Sequence, residues 1–568
     1  MNGFCLLPLK IKKKFHSTVV IFADILINRM KKAPIFFITI FLVQVVFAQT
    51  NSKGAQQPKL VVGIVVDQMR WDFLSRYANR YSANGFNRLM SEGFNCENTF
   101  IPYAQTVTAA GHASIYTGSV PAINGIMGNE WYDRVQKKMV YCTEDASVKT
   151  IGSSAEPQSP KNLWVNTICD ELKMATNFQS KVIGISIKDR GGILPAGHTA
   201  DAAYWYDTKS GSWISSTYYM QKLPDWVDQF NSKKLPDSLY KLNWNTLHPI
   251  DSYKQSDKDD MSYEGKFAHE QKPVFPHELA SQATKNYGLI AATPYGNTLS
   301  FAFAKQAIDY EQMGKDSITD FLAISLSSPD YVGHQFGPNS IETEDTYLRL
   351  DKEVADFLNY LDKKVGKGQY TIFLSADHGV SHIPGFLKNN KMPGGLYSAT
   401  NSTAVKNTIE KFGVKNLILS SANYQLYLNY DLLDSLHINR KEIKQFLVKE
   451  LNKESNILLA FDLEEINAVN LPSVVKEKFV NGYNYKQSGD IQVVLKPGFF
   501  SGGNTGTTHG SWYPYDAHIP LLWFGWGIKK GKSNETHFMN DIAPTLAALL
   551  KIQTPNGTTG KVIPEVLK

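Results

Sequence analysis

The sequence predicts an α/β protein: a mostly parallel central sheet flanked by helices, with two insertions that form a smaller cap region. Three observations predict it. Apolar runs at 60–66 (LVVGIVV), 182–187 (VIGISI), 321–326 (FLAISL) and 371–375 (TIFLS) read as buried strands bounded by Gly-rich turns. Between the last two, Glu342 to Val365 places Tyr347, Leu348, Leu350, Val354, Phe357, Leu358 and Leu361 at helical spacing, as a crossover helix requires. All four strands run directly into chemically active side chains: Asp67, Lys188 with Arg190, Asp330 with His334, and Asp377 with His378. Open α/β sheets bind ligands beyond the carboxyl ends of their strands, so these groups mark one reaction edge.

Taken in order, residues 1–48 read as a leader. Met30-Lys31-Lys32 is a charged start, Ile35 to Phe47 is an apolar run too short to span a bilayer, and Val46-Phe47-Ala48 resembles a cleavage site. Met30 is the expected true start, and the expected product is periplasmic or secreted, without a stable membrane anchor. Residues 49–200 form the first part of the α/β core. Residues 201–300, rich in Trp, Tyr, Lys and Asp, are read as an insertion over the site edge. The core resumes over 301–381. A second insertion, the cap, occupies 382–488, and the C-terminal part of the core occupies 489–568, ending in the apolar helix of DIAPTLAALLKI.

Composition narrows the class. A chain of 568 residues, 43% hydrophobic and 12% aromatic, can bury an extensive core and is neither disordered nor fibrous. Seven of its 59 basic residues and one of its 53 acidic residues lie in the leader, so the remainder is formally neutral. That balance excludes a basic nucleic-acid-binding surface. Beyond the leader the cysteines are Cys96, Cys142 and Cys169; their spacing offers no thiolate metal site, and at most one disulfide can form.

Three aspartates and two histidines at one edge have the composition of a two-metal centre, since carboxylate and imidazole together suit zinc or a similar divalent ion. Asp330 and His334 are four apart, so one helical turn lets both face one ion. Asp377 and His378 are adjacent and can share an ion only from an irregular loop. Thr108 stands where an extended, Pro-containing stretch enters a small-residue helix, either as a plain N-cap or as a hydroxyl facing the positive end of the dipole. Asp67 could equally cap a following helix, Asn129 in GNEW could close a turn, and His334 and His509 could be loop histidines. Lys188 and Arg190, read as i and i+2 on a strand, should share one face and meet an anion. His112 and His198 are expected to support or pack.

The segments VDQMRWD, TVTAAGH, GNEW, KDRGG, SPDYVGH, SADHG and GTTHGSWYPYDAHIP, in this order, resemble the alkaline phosphatase superfamily, specifically the phosphate-irrepressible, PafA-like bacterial alkaline phosphatases. The resemblance spans nearly the whole mature chain. It implies two zinc ions per chain, one held by Asp330, His334 and His509 and the other by Asp67, Asp377 and His378. It implies Thr108 as the nucleophile that becomes phosphothreonine, Asn129 as a donor to a phosphoryl oxygen, and Lys188 with Arg190 as the pair that stabilises the transition state. Small-molecule phosphate monoesters are the implied substrates.

Two other classes stay open. Nucleotide pyrophosphatase/phosphodiesterases share the core and attack diesters, whereas two cations favour a dianionic monoester. A non-catalytic phosphate-binding protein would keep the metals with an idle Thr108. A sulfatase is disfavoured because no cysteine stands in a CxPxR context.

Overall fold

The computed structural model describes residues 57–568; the leader and its cleavage site lie outside the described residues. Leu60–Val66 (β1) is buried at every position. In chain order it is followed by Phe94–Cys96 (β2), Thr150–Ile151 (β3), Val182–Ser186 (β4), Ala202–Asp207 (β5), Ser212–Ser216 (β6), Asp320–Leu326 (β7) and Tyr370–Ser375 (β8). Ile418–Ser420 (β9), Gln425–Leu428 (β10), Ile457–Asp462 (β11) and Ile491–Leu495 (β12) build a separate antiparallel sheet in the order β9-β10-β12-β11. Leu521–Gly525 (β13) and Gly531–Ser533 (β14) complete the large, ten-stranded sheet, ordered β14-β2-β13-β8-β1-β7-β4-β5-β6-β3. Its central five strands, β8-β1-β7-β4-β5, are all parallel. β13 and β6 flank them antiparallel, giving the mixed, mostly parallel sheet expected.

Helices cover both faces, which is why the central strands are uninterrupted apolar runs. The principal ones are Thr108–Thr117 (α1), Asp189–Ala196 (α2), Tyr295–Tyr310 (α3), Ser328–Phe336 (α4), Ile341–Leu361 (α5), Thr403–Phe412 (α6), Arg440–Leu451 (α7) and Ile542–Leu550 (α8). The crossover α5 begins at a Ser340 cap whose side chain accepts from the Thr343 amide, and it buries Tyr347, Leu350, Val354 and Leu358 toward the sheet core. Among the described residues no helix is long and apolar enough to cross a membrane.

The structure departs from the sequence reading in three places. Residues 202–216, assigned to an insertion, supply β5 and β6 of the large sheet; the aromatic run AYWY disguises a fully buried strand. Residues 491–495, assigned to the core, belong to the smaller sheet, whose own apolar cluster includes Leu426, Leu447, Ile491 and Val493. Lys188 and Arg190 do not share a strand face, because β4 ends at Ser186 and Arg190 already lies in α2. Gly191 and Gly192 turn the chain this early: a Cβ on Gly191 would lie 2.6 Å from Ser186 Oγ, so only glycine lets α2 start against its own strand.

Candidate active site

β1, β7 and β8 are neighbours, so Asp67, Asp330 and Asp377 leave the sheet side by side. Two groups of potential metal ligands form there: Asp330, His334 and His509, and Asp67, Asp377 and His378. Within each group the ligand atoms lie within 4.8 Å of one another. One turn of α4 aligns Asp330 with His334, whose Nε2 is 3.2 Å from Asp330 Oδ1. His509 comes from the distant C-terminal loop, with Nε2 3.6 Å from the same oxygen. His378 Nε2 is 3.4 Å from both Asp67 Oδ1 and Asp377 Oδ2. The rings of His378 and His509 stack with centroids 3.5 Å apart, which joins the two groups into one centre.

The imidazoles are oriented alike. Nδ1 of His334, His378 and His509 lies 2.7, 2.9 and 2.7 Å from the carbonyl oxygens of Thr507, Gly379 and Thr106. A carbonyl can only accept, so Nδ1 carries the proton and each Nε2 lone pair is left for the centre. Burial pulls His378 down to about 3 and His509 well below its ordinary value, keeping both neutral. Burial works against charge on His334 too, but Asp330 beside it raises its pKa.

The carboxylates are under the opposite pressure. Burial, then the neighbouring acids, push Asp67 and Asp377 up. Asp67 Oδ1 and Asp377 Oδ2 are buried without a hydrogen-bond partner. Burial also acts against Asp330, but His334 and Lys188 hold it well below the usual range. Orphaned carboxylate oxygens beside neutral imidazoles are a donor set that fits two divalent cations, because each cation repays the desolvation these groups suffer.

Thr108 is buried and is the first residue of α1; Val107, with extended backbone, holds the cap position and Thr108 makes no capping bond. Thr108 Oγ1 lies 3.4 Å from His378 Nε2. α1 approaches this closely because residue 111 is glycine: a Cβ there would stand 2.5 Å from the Asp377 carbonyl oxygen. Asn129 Oδ1 accepts from the Ala109 amide at 2.9 Å, which fixes the side chain beside the start of α1 and leaves its Nδ2 to donate. Asp67 caps no helix, the next one starting at Asp72.

Lys188 Nζ bridges Asp67 Oδ2 at 2.6 Å and Asp330 Oδ2 at 2.5 Å. Burial disfavours its charge, yet Asp330 and Asp67 raise its pKa. Arg190 Nη1 donates to Tyr141 Oη at 2.9 Å, and Tyr141 Oη donates to Asp189 Oδ1 at 2.6 Å. Arg190 Nε is buried without a partner. His112 bridges the Thr108 carbonyl and Ser325 Oγ, each at 2.9 Å, with Nδ1 3.4 Å from Asp377 Oδ2. His198 supplies only its backbone carbonyl, to the Tyr218 hydroxyl.

A model of the type I phosphodiesterase / nucleotide pyrophosphatase family matches residues 61–518. Over 526 residues the chain is 53% identical to alkaline phosphatase PhoV of Synechococcus elongatus, covering 92% of this chain and 94% of that one. The solved structure of wild-type alkaline phosphatase PafA, 49% identical, matches 91% of this chain and 100% of its own with a TM-score of 0.89. The chain belongs to the PafA-like alkaline phosphatases. A further relative of this PafA-like chain, 53% identical over 531 residues with 92% and 97% covered, is the protein of Myroides odoratus named calcium-transporting ATPase. A PafA variant substituted at a threonine, an asparagine, a lysine and an arginine has also been solved; it is 48% identical, with the same coverage and TM-score.

Sequence reasoning missed Gln68 and Tyr141. The Gln68 amide donates to Asp377 Oδ1 at 3.1 Å while its side-chain Nε2 donates to Asp330 Oδ1 at 2.7 Å, tying the two groups together. This needs a left-handed backbone at Gln68, φ 66°, which nothing in VDQM signals. Tyr141 lies in a hairpin and reaches Arg190 only through the tertiary fold.

Proposed function

We propose that this protein is an exported, zinc-dependent alkaline phosphatase that frees inorganic phosphate from small monoesters through a phosphothreonine on Thr108. Asp330, His334 and His509 would hold one zinc ion and Asp67, Asp377 and His378 the other. When bound, the two ions supply Lewis-acid stabilisation to the attacking and departing oxygens. The reading is carried by one observation: a buried threonine hydroxyl at a helix N-terminus beside two ligand groups, with a buried Lys and a half-buried Arg at the same sheet edge.

Thr108 Oγ1 forms a bond to phosphorus as the bond from phosphorus to the alcohol oxygen breaks, and the alcohol leaves with one proton. The N-terminus of α1 favours the developing alkoxide and the bound anion. Asn129 Nδ2 donates to a phosphoryl oxygen. Lys188 contributes a point charge, and Arg190 offers its remaining N–H groups as a planar fork to two oxygens. Water then attacks phosphorus, the bond to Thr108 breaks, its hydroxyl is restored and phosphate departs. Two in-line displacements retain configuration. The transition state is loose, so positioning and electrostatics supply most of the acceleration.

The solved PafA variant supports this assignment of residues. Its substituted threonine and asparagine are 21 positions apart, as are Thr108 and Asn129, and its lysine and arginine are two apart, as are Lys188 and Arg190. Acid quenching during turnover, followed by peptide mass analysis, should find phosphate on Thr108. Metal analysis should find two zinc ions per chain, and the exported protein should begin at Gln49, residues 1–48 having been removed. An exported protein that still begins at Met1 would refute the leader assignment.

The family model's name favours a second reading, diester hydrolysis. Two cations at one sheet edge have most to gain from a dianion, so phenyl phosphate should be turned over faster than its bis-phenyl diester; the reverse order would establish the second reading. The name of the Myroides relative is met part-way by the same chemistry, because the terminal phosphoryl group of ATP is also a dianion. We find no basis for transport among the described residues, where no helix is suited to cross a membrane.

A further inference from the structure

A cavity of about 190 Å³ opens beside His509. Val107, immediately before Thr108, and Thr508 and His509 form its inner wall; Tyr397, Tyr424 and Ser501 form the outer one. None of its lining residues is Asp, Glu, Lys or Arg. Its outer wall is placed by an unusual piece of backbone. Asn423 and Tyr424, between β9 and β10, adopt successive left-handed conformations, φ 58° and 56°. Asparagine tolerates that region, whereas a bulky aromatic residue rarely occupies it, and such outliers gather where a fold holds a functional side chain.

Contacts on both flanks hold the turn. Asn423 Nδ2 donates to the Glu130 carbonyl at 3.2 Å, next to Asn129, and its amide packs so closely on Gly128 that a Cβ there would lie 2.6 Å away. Tyr424 Oη accepts from the Ser501 amide at 3.2 Å, and its ring edge lies 3.4 Å from where a Cβ on Gly510 would stand, one residue after His509. The smaller sheet thus reaches the site through one turn that touches the Asn129 side and the His509 side together.

An in-line displacement sends the alcohol away from Thr108, toward the group of Asp330, His334 and His509, and His509 is shared with the cavity. We infer that this cavity is the leaving-group subsite and that Tyr424 is its specificity-determining wall, selecting monoesters whose alcohol is a single uncharged ring. The inference rests on the monoesterase reading above. A cavity of roughly 150 Å³ accepts one benzene ring, so one ring fits here and a second does not. A charge on that ring would enter a wall with no counter-ion and lose its hydration.

The test compares phenyl phosphate, 4-carboxyphenyl phosphate and methyl phosphate on the full-length, metal-loaded enzyme. Wild type should prefer phenyl over 4-carboxyphenyl phosphate by about tenfold in kcat/KM. Tyr424→Gly, which accepts the left-handed backbone, should reduce the phenyl-to-methyl ratio by about tenfold, and Tyr424→Phe should keep it. Inhibition by inorganic phosphate, which has no alcohol portion, reports separately on the phosphoryl site and should change less than about twofold in Tyr424→Gly. An unchanged ratio, equal turnover of the two aryl esters, or a loss of phosphate binding matching the loss of turnover would overturn the subsite. If wild type binds phosphate but hydrolyses no monoester, the underlying function is wrong instead, and the subsite falls with it.

Discussion

Two histidine–carboxylate clusters in this molecule look alike in composition and differ in how their nitrogens are used. At the sheet edge, His334, His378 and His509 each give Nδ1 to a backbone carbonyl and keep Nε2 for the centre. Behind α4, His277 has both nitrogens engaged, Nδ1 at 3.0 Å from Glu270 and Nε2 at 3.2 Å from Glu342. Burial disfavours charge on His277, yet Glu270 and Glu342 raise it to about 9, so it serves as a fixed cation. Burial leaves His378 and His509 neutral. One cluster carries its own cation, held between two glutamates; the other leaves three imidazole lone pairs turned toward its centre.

The largest expected effect separates the two outright. Chelation should abolish turnover and restoring zinc should recover it, while far-ultraviolet circular dichroism stays native; unfolding on chelation would make the sheet-edge cluster structural as well. Thr108→Ala should lower kcat by about 10⁴-fold or more with zinc content near wild type, measured by metal analysis beside initial rates. Arg190→Ala and Lys188→Ala should each cost about 10²- to 10³-fold on a monoester and less on a diester. Equal losses on both substrates would remove the argument from charge. Lys188→Ala carries the added cost of leaving Asp67 and Asp330 without their bridging ammonium.

The smallest effect lies in the other cluster and concerns stability alone. The folded-state pKa of His277 exceeds its unfolded value of about 6.5, so its stabilisation is complete below that pH and is lost as pH rises through about 9. Between about pH 7 and about pH 9 the loss should be roughly 2 kcal/mol. His277→Gln should flatten this part of the stability profile in denaturant titrations, with turnover preserved. An identical slope in the variant would assign the pH dependence to other groups.

The site was legible wherever a ligand followed a strand within four residues. Asp67, Asp330 and Asp377 stand at the ends of three apolar runs, and the spacing of Asp330 and His334 encodes one turn of α4. Local rules misled at Lys188 and Arg190, since an alternating strand pattern looks the same whether or not two following glycines start a helix. They failed at β5, where five alanine or aromatic side chains read as part of an insertion yet lie buried in the large sheet. Gln68 and Tyr424 were invisible, because a left-handed backbone at a non-glycine residue is imposed by its surroundings.

By itself, the sequence determined which segments become central strands, which carboxylates they deliver, and that a threonine opens the helix at 108, because hydrophobic period and helix entry are local properties of the chain. Only the tertiary structure decided that His509 stacks on His378 across 131 positions of sequence, that Lys188 and Arg190 part company, and that Tyr424 comes beside the centre. Those placements follow from strand order and from loops meeting across the sheet edge. Such contacts are paid for by packing of the whole fold, and no short window of residues encodes them.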